Sequence, residues 1–269
     1  MRMKRFDYEA KIWGVNKVRL NPIYLGALRL KYCLNSLEKV KGRVLEVGCG
    51  AGGMTKAVKF YRSDLEVYGC DISKTAINYA KKNPQGVKFS VGDAYKLPFS
   101  DKSFDGIFLF DILEHLENPE KAVGEIYRVL KNGAVFHSYT PCEGSPSNYD
   151  FWFRKLGWKG KERYAGHIQK FNAKDLEKMM KKQGFNEKEK KWSNHISNQL
   201  FDALYFLMLS LRGKNAKYSV EGFASQNSQN IQTKIAFLMI KIVAILSFFE
   251  SYYLSKIPGH GVHLTAFKK

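Results

Sequence analysis

Cysteine is scarce in this chain, four residues in 269, and no two of them form a C-x-x-C pair. That excludes a disulfide-stapled scaffold and a thiolate zinc knuckle, and it fits a reducing, cytoplasmic compartment. The basic start MRMKRFDYEAKIWG is not followed by the apolar stretch of about 7–15 residues that a cleavable signal peptide needs, so none is expected. The apolar run from Ile235 to Phe249 holds fifteen residues and is interrupted by Lys241. That falls short of the ~20 largely uncharged residues a membrane span requires. Internal repeats and low-complexity tracts are absent. Acidic residues are also few, 25 against 44 basic ones, for a net charge of +19. The surplus sits on the flanks: residues 1–45 carry 11 basic and 3 acidic side chains, residues 46–149 carry 12 and 13, and residues 150–195 carry 13 and 6. A basic surface attracts phosphate-bearing partners, either nucleic acid or anionic lipid.

Between the flanks, short apolar runs alternate with helical patterns. RVLEVG, EVYGCDI, VKFSVGD, FDGIFLFD and AVFHSYT read as strands; GGMTKAVKFYR, SKTAINYAKKN and PEKAVGEIYRVLKNG read as helices. Ser73 is placed to cap the second of these helices, and Pro119 and Gly133 to bracket the third. Residues 23–40 predict a helix leading into the core. Such alternation implies right-handed crossovers and a mostly parallel sheet in an α/β fold. After Pro141 the pattern loosens. Residues 144–166 are aromatic and basic without a clean period. NAKDLEKMMKKQG then predicts a helix, and FNEKEKKW and GVHLTAFKK predict two further strands.

The run VLEVGCGAGG places Gly48, Gly50 and Gly53 as G-x-G-x-x-G directly after the first strand. A tight turn there lets a ligand approach backbone N–H groups at a helix N-terminus. Asp71 ends the next strand and is placed to accept from a ribose diol. Asp93, in GDA after the third strand, can accept from the exocyclic amine of an adenine. Glu46 lies inside the first strand, two residues before the loop. A buried acid there would repel a pyrophosphate and favour a ligand with a positive centre.

These runs, with GDAYKLPFSDKSFDGIFLFDILEHLENPEKAVGEIYRVLKNGA and GHIQKFNAKDLEKMMKKQGF, resemble the class I S-adenosylmethionine (SAM)-dependent methyltransferases, and most closely the type 11 group that includes the ubiquinone/menaquinone-biosynthesis enzymes. The resemblance covers residues 40–195. It implies a Rossmann-like seven-stranded sheet, mostly parallel with an antiparallel last strand, and SAM as cofactor. It also implies that Glu46, Gly48, Cys49 and Gly50 hold the methionine part, that Asp71 binds the ribose, and that Ile72 packs on the adenine face. Asp93 and Ala94 would meet the adenine edge, and Phe110 would line the floor beside the sulfonium.

Methyl transfer needs orientation and desolvation, and an oxygen nucleophile also needs its proton removed. His115 is the first base candidate and His167 the second. The run DILEH gathers Asp111, Glu114 and His115, but the sequence offers no further ligand and no metal is assigned. No N/D-P-P-Y-like run follows the fourth strand, so nucleic acid is not the expected substrate.

About 65 residues separate the last two strands, where the family resemblance implies a short connection. The division read from the sequence is an N-terminal helical segment 1–40, a SAM-binding core 41–195 with a lid at 144–166, an apolar helical insertion 196–258 and a final strand 259–269. The apolar faces of the insertion suit a helix lying in a membrane interface or covering a greasy pocket. The expected acceptor is therefore hydrophobic or lipid-linked, with peripheral contact at the cytoplasmic face of an anionic membrane. The sequence leaves the oligomeric state open.

Overall fold

A computed structural model describes residues 9, 12–14, 17–212 and 231–269. The expectations placed on the rest of 1–40 and on the polar linker 213–230 lie outside the described residues. Among the described residues seven strands form one sheet: β1 Arg43–Val47, β2 Glu66–Asp71, β3 Lys88–Val91, β4 Phe104–Phe110, β5 Leu130–Pro141, β6 Phe185–Ser193 and β7 Gly261–Lys268. Their order is β3-β2-β1-β4-β5-β7-β6. β1 pairs parallel with β2 and β4, whereas β7 runs antiparallel to both β5 and β6. The fold class read from the sequence is the one observed.

The central strands β1, β4 and β7 are buried on both faces, as strands between helical layers must be, whereas the edge strands β3 and β6 are largely exposed. Leu45 and Val47 of β1 and Ile107 and Leu109 of β4 belong to one core, shared with helices α4 (Pro119–Val129) and α7 (Ala173–Lys182). Val44 and Phe108 turn to the other, shared with α1 (Ala27–Ser36), α2 (Gly53–Tyr61) and α3 (Lys74–Lys81). The two-residue period of a strand then sends Glu46 and Phe110 to the α1–α2 face. Helix starts follow their side chains: Ser73 Oγ accepts from Ala76 N–H, Asn118 Oδ1 from Lys121 N–H, and Asn172 and Asp175 form a capping box. Each cap contributes about 1 kcal/mol.

Some boundaries differ from the sequence reading. The first helix starts only at Ala27, after turns through Pro22 and Gly26. α4 ends at Val129, because the chain enters β5 there, and Gly133 takes its left-handed φ of +74° inside that strand. The aromatic segment 144–166 folds into two short helices, α5 (Tyr149–Lys155) and α6 (Gly160–Tyr164).

Two helices, α8 (Ile196–Arg212) and α9 (Ile231–Tyr253), lie between β6 and β7. The Glu250 carboxylate of α9 accepts from Ile196 N–H and Ser197 N–H, capping α8, and Ser251 Oγ accepts from Asn194 N–H at the end of β6. α8 is also bolted to the lid. Lys161 Nζ reaches Asp202 at 2.8 Å, and Tyr149 Oη donates to the same carboxylate. Among the described residues no helix is long and apolar enough to cross a membrane.

A polar seam runs through the core beneath β5 and β7. His137 Nδ1 lies 2.9 Å from Thr265 Oγ1, and His263 Nε2 lies 3.2 Å from Ser193 Oγ. Burial pushes the His137 imidazole down to about 3 from its ordinary 6.5. Its stabilising contribution is therefore complete above pH 6.5, the unfolded value, and is lost as pH falls below it. Between pH 7 and pH 5 that loss is about 2 kcal/mol. His137→Asn keeps a polar partner for Thr265 but cannot take a proton. The stability difference between wild type and this variant should shrink by about that amount from pH 7 to pH 5, measured by urea unfolding. A difference independent of pH would show that His137 does not carry this term.

Candidate functional site

The cleft opens where the strand order reverses, at the carboxyl ends of β1 and β4, the usual ligand position in an open α/β sheet. Its floor is the glycine loop. Gly48, Gly50 and Gly52 all have left-handed φ, at +77°, +49° and +78°. Gly52 is the residue before α2, and Gly53, the third glycine read from the sequence, is the helix's first residue. The turn is needed for space as well as conformation. A Cβ on Gly48 would fall inside the Ile112 side chain, and one on Gly50 would lie 2.5 Å from Trp13 O.

Asp71 holds the loop. Its Oδ2 accepts from Gly50 N–H at 2.8 Å and its Oδ1 from Ser73 N–H at 2.9 Å. One carboxylate thus joins the loop after β1 to the start of α3. Burial pushes its pKa up, against those two backbone donors. Each oxygen keeps a lone pair for a ribose hydroxyl. Beside it Ile72 is 53% exposed, an apolar face open to a base. Asp93 Oδ1 accepts from Tyr95 N–H, which turns the chain after β3. Ala94 is partly buried against the core.

Cys49 and Glu46, both expected to hold the methionine part, are buried. Cys49 is buried and its thiol lies under the loop, so only its backbone faces a ligand; burial pushes that thiol well above its ordinary range. Glu46 is 4% exposed and its carboxyl accepts from Thr55 Oγ1 of α2, beneath the loop rather than in the open cleft. Burial, with Asp71 nearby, raises its pKa to about 8. A positive charge in the cleft would favour its ionised form. Phe110 packs against Phe108 and His137 with its ring half-buried, as a floor residue would.

Beside the loop stand the carboxyl ends of β4 and β5 and the segment 144–166. Asp111, just past β4, has φ of +53° and is ion-paired to Arg29 of α1. The Arg29 guanidinium lies 4.0 Å from the centre of the Tyr139 ring. His115 ends a short 3₁₀ turn, Leu113–His115, and its Nδ1 lies 3.2 Å from Gly166 O of the lid. Burial first, and then His167, lowers its pKa to about 3. His167 Nδ1 lies 2.6 Å from Glu143 Oε1, and the two histidine rings meet edge to face at 4.7 Å. The two predicted base candidates, 52 positions apart in the chain, are thus brought together. Opposing burial, His167, Lys161 and Lys170 hold the Glu143 carboxyl well below the ordinary range.

Sequence reasoning missed Arg29, Ile112 and the N-terminal segment. Trp13 O accepts from Ala51 N–H, and the Glu9 carboxylate accepts from Lys74 N–H and Thr75 N–H at the start of α3. Both lie far from the loop in sequence, and no local pattern marks them. Gly48→Ala tests the packing of the loop. Left-handed strain and the collision with Ile112 should together cost about 2–4 kcal/mol, read as a lowered thermal midpoint. An unchanged midpoint would mean that Ile112 steps aside freely.

The family described as a methyltransferase domain matches residues 45–137. The chain is 37% identical over 114 residues to an O-methyltransferase of Penicillium expansum, covering 38% of this chain and 41% of that protein. It is 38% identical over 104 residues to a sterol 24-C-methyltransferase of Gibberella zeae, covering 36% and 27%. The chain thus spans well under half the length of the curated relatives it matches. Among solved structures, the YcgJ protein of Bacillus subtilis superposes with a TM-score of 0.59 at 19% identity, over 89% of this chain and 97% of that one. A phosphoethanolamine N-methyltransferase of Haemonchus contortus, solved with S-adenosyl-L-methionine, gives 0.52 at 19%, over 91% and 57%. Those likenesses carry the fold. With the glycine loop and its acids in place, residues 45–137 form a methyltransferase domain, and S-adenosylmethionine is the cofactor its cleft takes.

Proposed function

We propose that this protein transfers the methyl group of SAM to a hydrophobic or lipid-linked acceptor, of the isoprenoid quinone precursor or glycolipid type. The cofactor part of that reading rests on the anchored glycine loop and the acids around it. The acceptor part rests on one observation: the paired helices α8 and α9 leave a broad apolar face uncovered. On α8, Leu200, Leu204 and Leu207 are each at least half exposed, and on α9 Leu238, Leu246 and Phe249 are similarly open. Positions spaced by three, four and seven residues share a helix face, so this is a continuous stripe rather than scattered residues. A patch of that kind needs a partner.

The basic segments beside it supply charge for an anionic surface. In this reading the helical pair rests in the headgroup layer at the cytoplasmic face and the lid admits the acceptor. The sterol C-methyltransferase similarity supports a greasy acceptor, while the O- and N-methyltransferase names leave the acceptor atom to experiment.

A second reading is a soluble small-molecule O-methyltransferase in which α8 and α9 only cap a pocket. The buried contacts from Asp202 to Lys161 and Tyr149 favour it, since they fix α8 to the lid. A third, a basic nucleic-acid binder on the same fold, is supported by charge alone.

In the chemistry itself, Asp71 and the loop N–H groups orient the cofactor, and Phe110 and Ile112 exclude water from one side of the cleft. His115 is neutral and can accept a hydrogen bond from an acceptor hydroxyl, but with its pKa lowered to about 3 it is a weak base for that proton.

Two measurements test the reading. Asp71→Ala removes the loop anchor and the ribose acceptor, and should weaken S-adenosylhomocysteine binding by about 10–100-fold in calorimetry, as charged hydrogen bonds of ~1.5–3 kcal/mol imply. Unchanged affinity would move the cofactor elsewhere. Vesicles containing phosphatidylglycerol should float the wild-type protein, and the triple change Leu200→Glu, Leu204→Glu, Leu246→Glu should abolish that. Incubation with methyl-labelled SAM and a membrane extract should then put label into the lipid phase. Label confined to water-soluble products, with no flotation, would favour the capped-pocket reading.

A further inference from the structure

A chain of buried charges runs from the helical insertion to the two histidines beside the cleft. We propose that Asp202 of α8 is a positioning residue for methyl transfer: it draws Lys161 away from Glu143, and Glu143 is thereby left to fix the His167 ring.

Lys161, near the start of α6, is 2% exposed, and Glu143, just past β5, is 1% exposed. Charges so deeply buried have to be paired. Lys161 Nζ donates to Asp202 Oδ2 at 2.8 Å and faces His260 Nε2, whereas Glu143 Oε1 lies farther off, at 3.4 Å. That same oxygen, Glu143 Oε1, takes the Nδ1–H of His167 at 2.6 Å. Lys170 Nζ holds the other oxygen at 2.7 Å. Lys161 and His167 therefore compete for one carboxylate oxygen, and the shorter contact belongs to His167. The group that holds the ammonium back is Asp202.

Asp202 is itself well fixed. Tyr149 Oη donates to it at 3.0 Å. Three residues earlier on α8, Gln199 Oε1 accepts from Tyr149 N–H and its Nε2 donates to Ser147 O. At the other end of the chain of contacts, an ionised Glu143 only accepts, so His167 carries its proton on Nδ1 and its lone pair on Nε2. Its ring meets that of His115 edge to face at 4.7 Å. A change on α8 is thus felt at both histidines.

Taking away only the charge of Asp202 leaves the buried ammonium with one anion, Glu143. Lys161 then closes on Oε1, and the bond to His167 loosens. Asp202 lies outside the matched residues 45–137, so this part of the machinery comes from the insertion. The inference rests on the methyltransferase reading for the reaction, but not for the positioning.

The test uses the full chain labelled with ¹⁵N. The Nδ1–H of His167, bonded to a buried carboxylate, should give a slowly exchanging downfield proton signal, assigned by its absence in His167→Gln. In Asp202→Asn, which keeps the shape and loses the charge, that proton should exchange at least ~10-fold faster, as weakening of a charge-assisted hydrogen bond implies. Methyl transfer from labelled SAM to a membrane extract should slow by a similar factor, with S-adenosylhomocysteine affinity unchanged. Adding Lys161→Met to Asp202→Asn removes the competitor as well, and slow exchange should return. A pair that served stability alone would give no such recovery. If Asp202→Asn fails to fold, Tyr149→Phe, which takes one donor from Asp202, should shift the exchange in the same direction. Unchanged exchange in the folded single variant, or no recovery in the double one, would overturn the proposal. Failure of the wild type to bind S-adenosylhomocysteine would instead overturn the methyltransferase reading and leave the exchange result standing.

Discussion

The carboxylate of Asp71 is the point on which the cleft depends. It accepts from a backbone N–H of the glycine loop and from another at the start of α3. β1 and β2 are adjacent and parallel, and Gly48 N–H and Cys49 N–H both donate to Cys70 O, so the Asp71 carboxylate carries that pairing past the sheet's end to Gly50 and α3. One buried acid ties them together, at a desolvation cost that raises its own pKa. The left-handed glycines then become usable, because the loop has a fixed shape for them to complete. Everything that a ligand would touch on this side of the sheet hangs from that tie.

The acids near the tie share an electrostatic character. Glu46 is pushed to about 8 and Glu114 well above its ordinary range, in each case by burial first. Such groups hold protons until a positive charge arrives. A sulfonium in the cleft would favour the ionised form of Glu46. This differs from a phosphate site, where backbone N–H groups face a ligand of the opposite sign. The strand alternation that puts Glu46 under the loop is therefore also what makes the site select for cations.

Much of this was legible in the sequence because it is local. The glycines follow a strand, Asp71 and Asp93 end or follow the next two, and all are set by short-range pattern. The strands of the first half were legible for the same reason, through continuous apolar runs. What could not be read is long-range. Arg29 reaches Asp111 from a helix 82 positions away, and His167 meets His115 through a lid with no clean period. Glu46 and Cys49 were recognised as members of the motif, but a motif does not say whether a side chain points up into the cleft or down beneath the loop. Only the pleat and the packing of α1 and α2 settle that.

The position of β7 between β5 and β6 has a consequence for how the chain is made. Among the described residues β6 pairs with β7 and with no other strand. During synthesis it leaves the ribosome well before its partner, with the whole helical pair still to come. Its middle, Asn186 to Lys191, alternates acidic and basic residues with no long apolar stretch. Nascent β6 is thus a charged ribbon that waits in water without recruiting a neighbouring polypeptide, until the apolar β7 slides in and closes the edge.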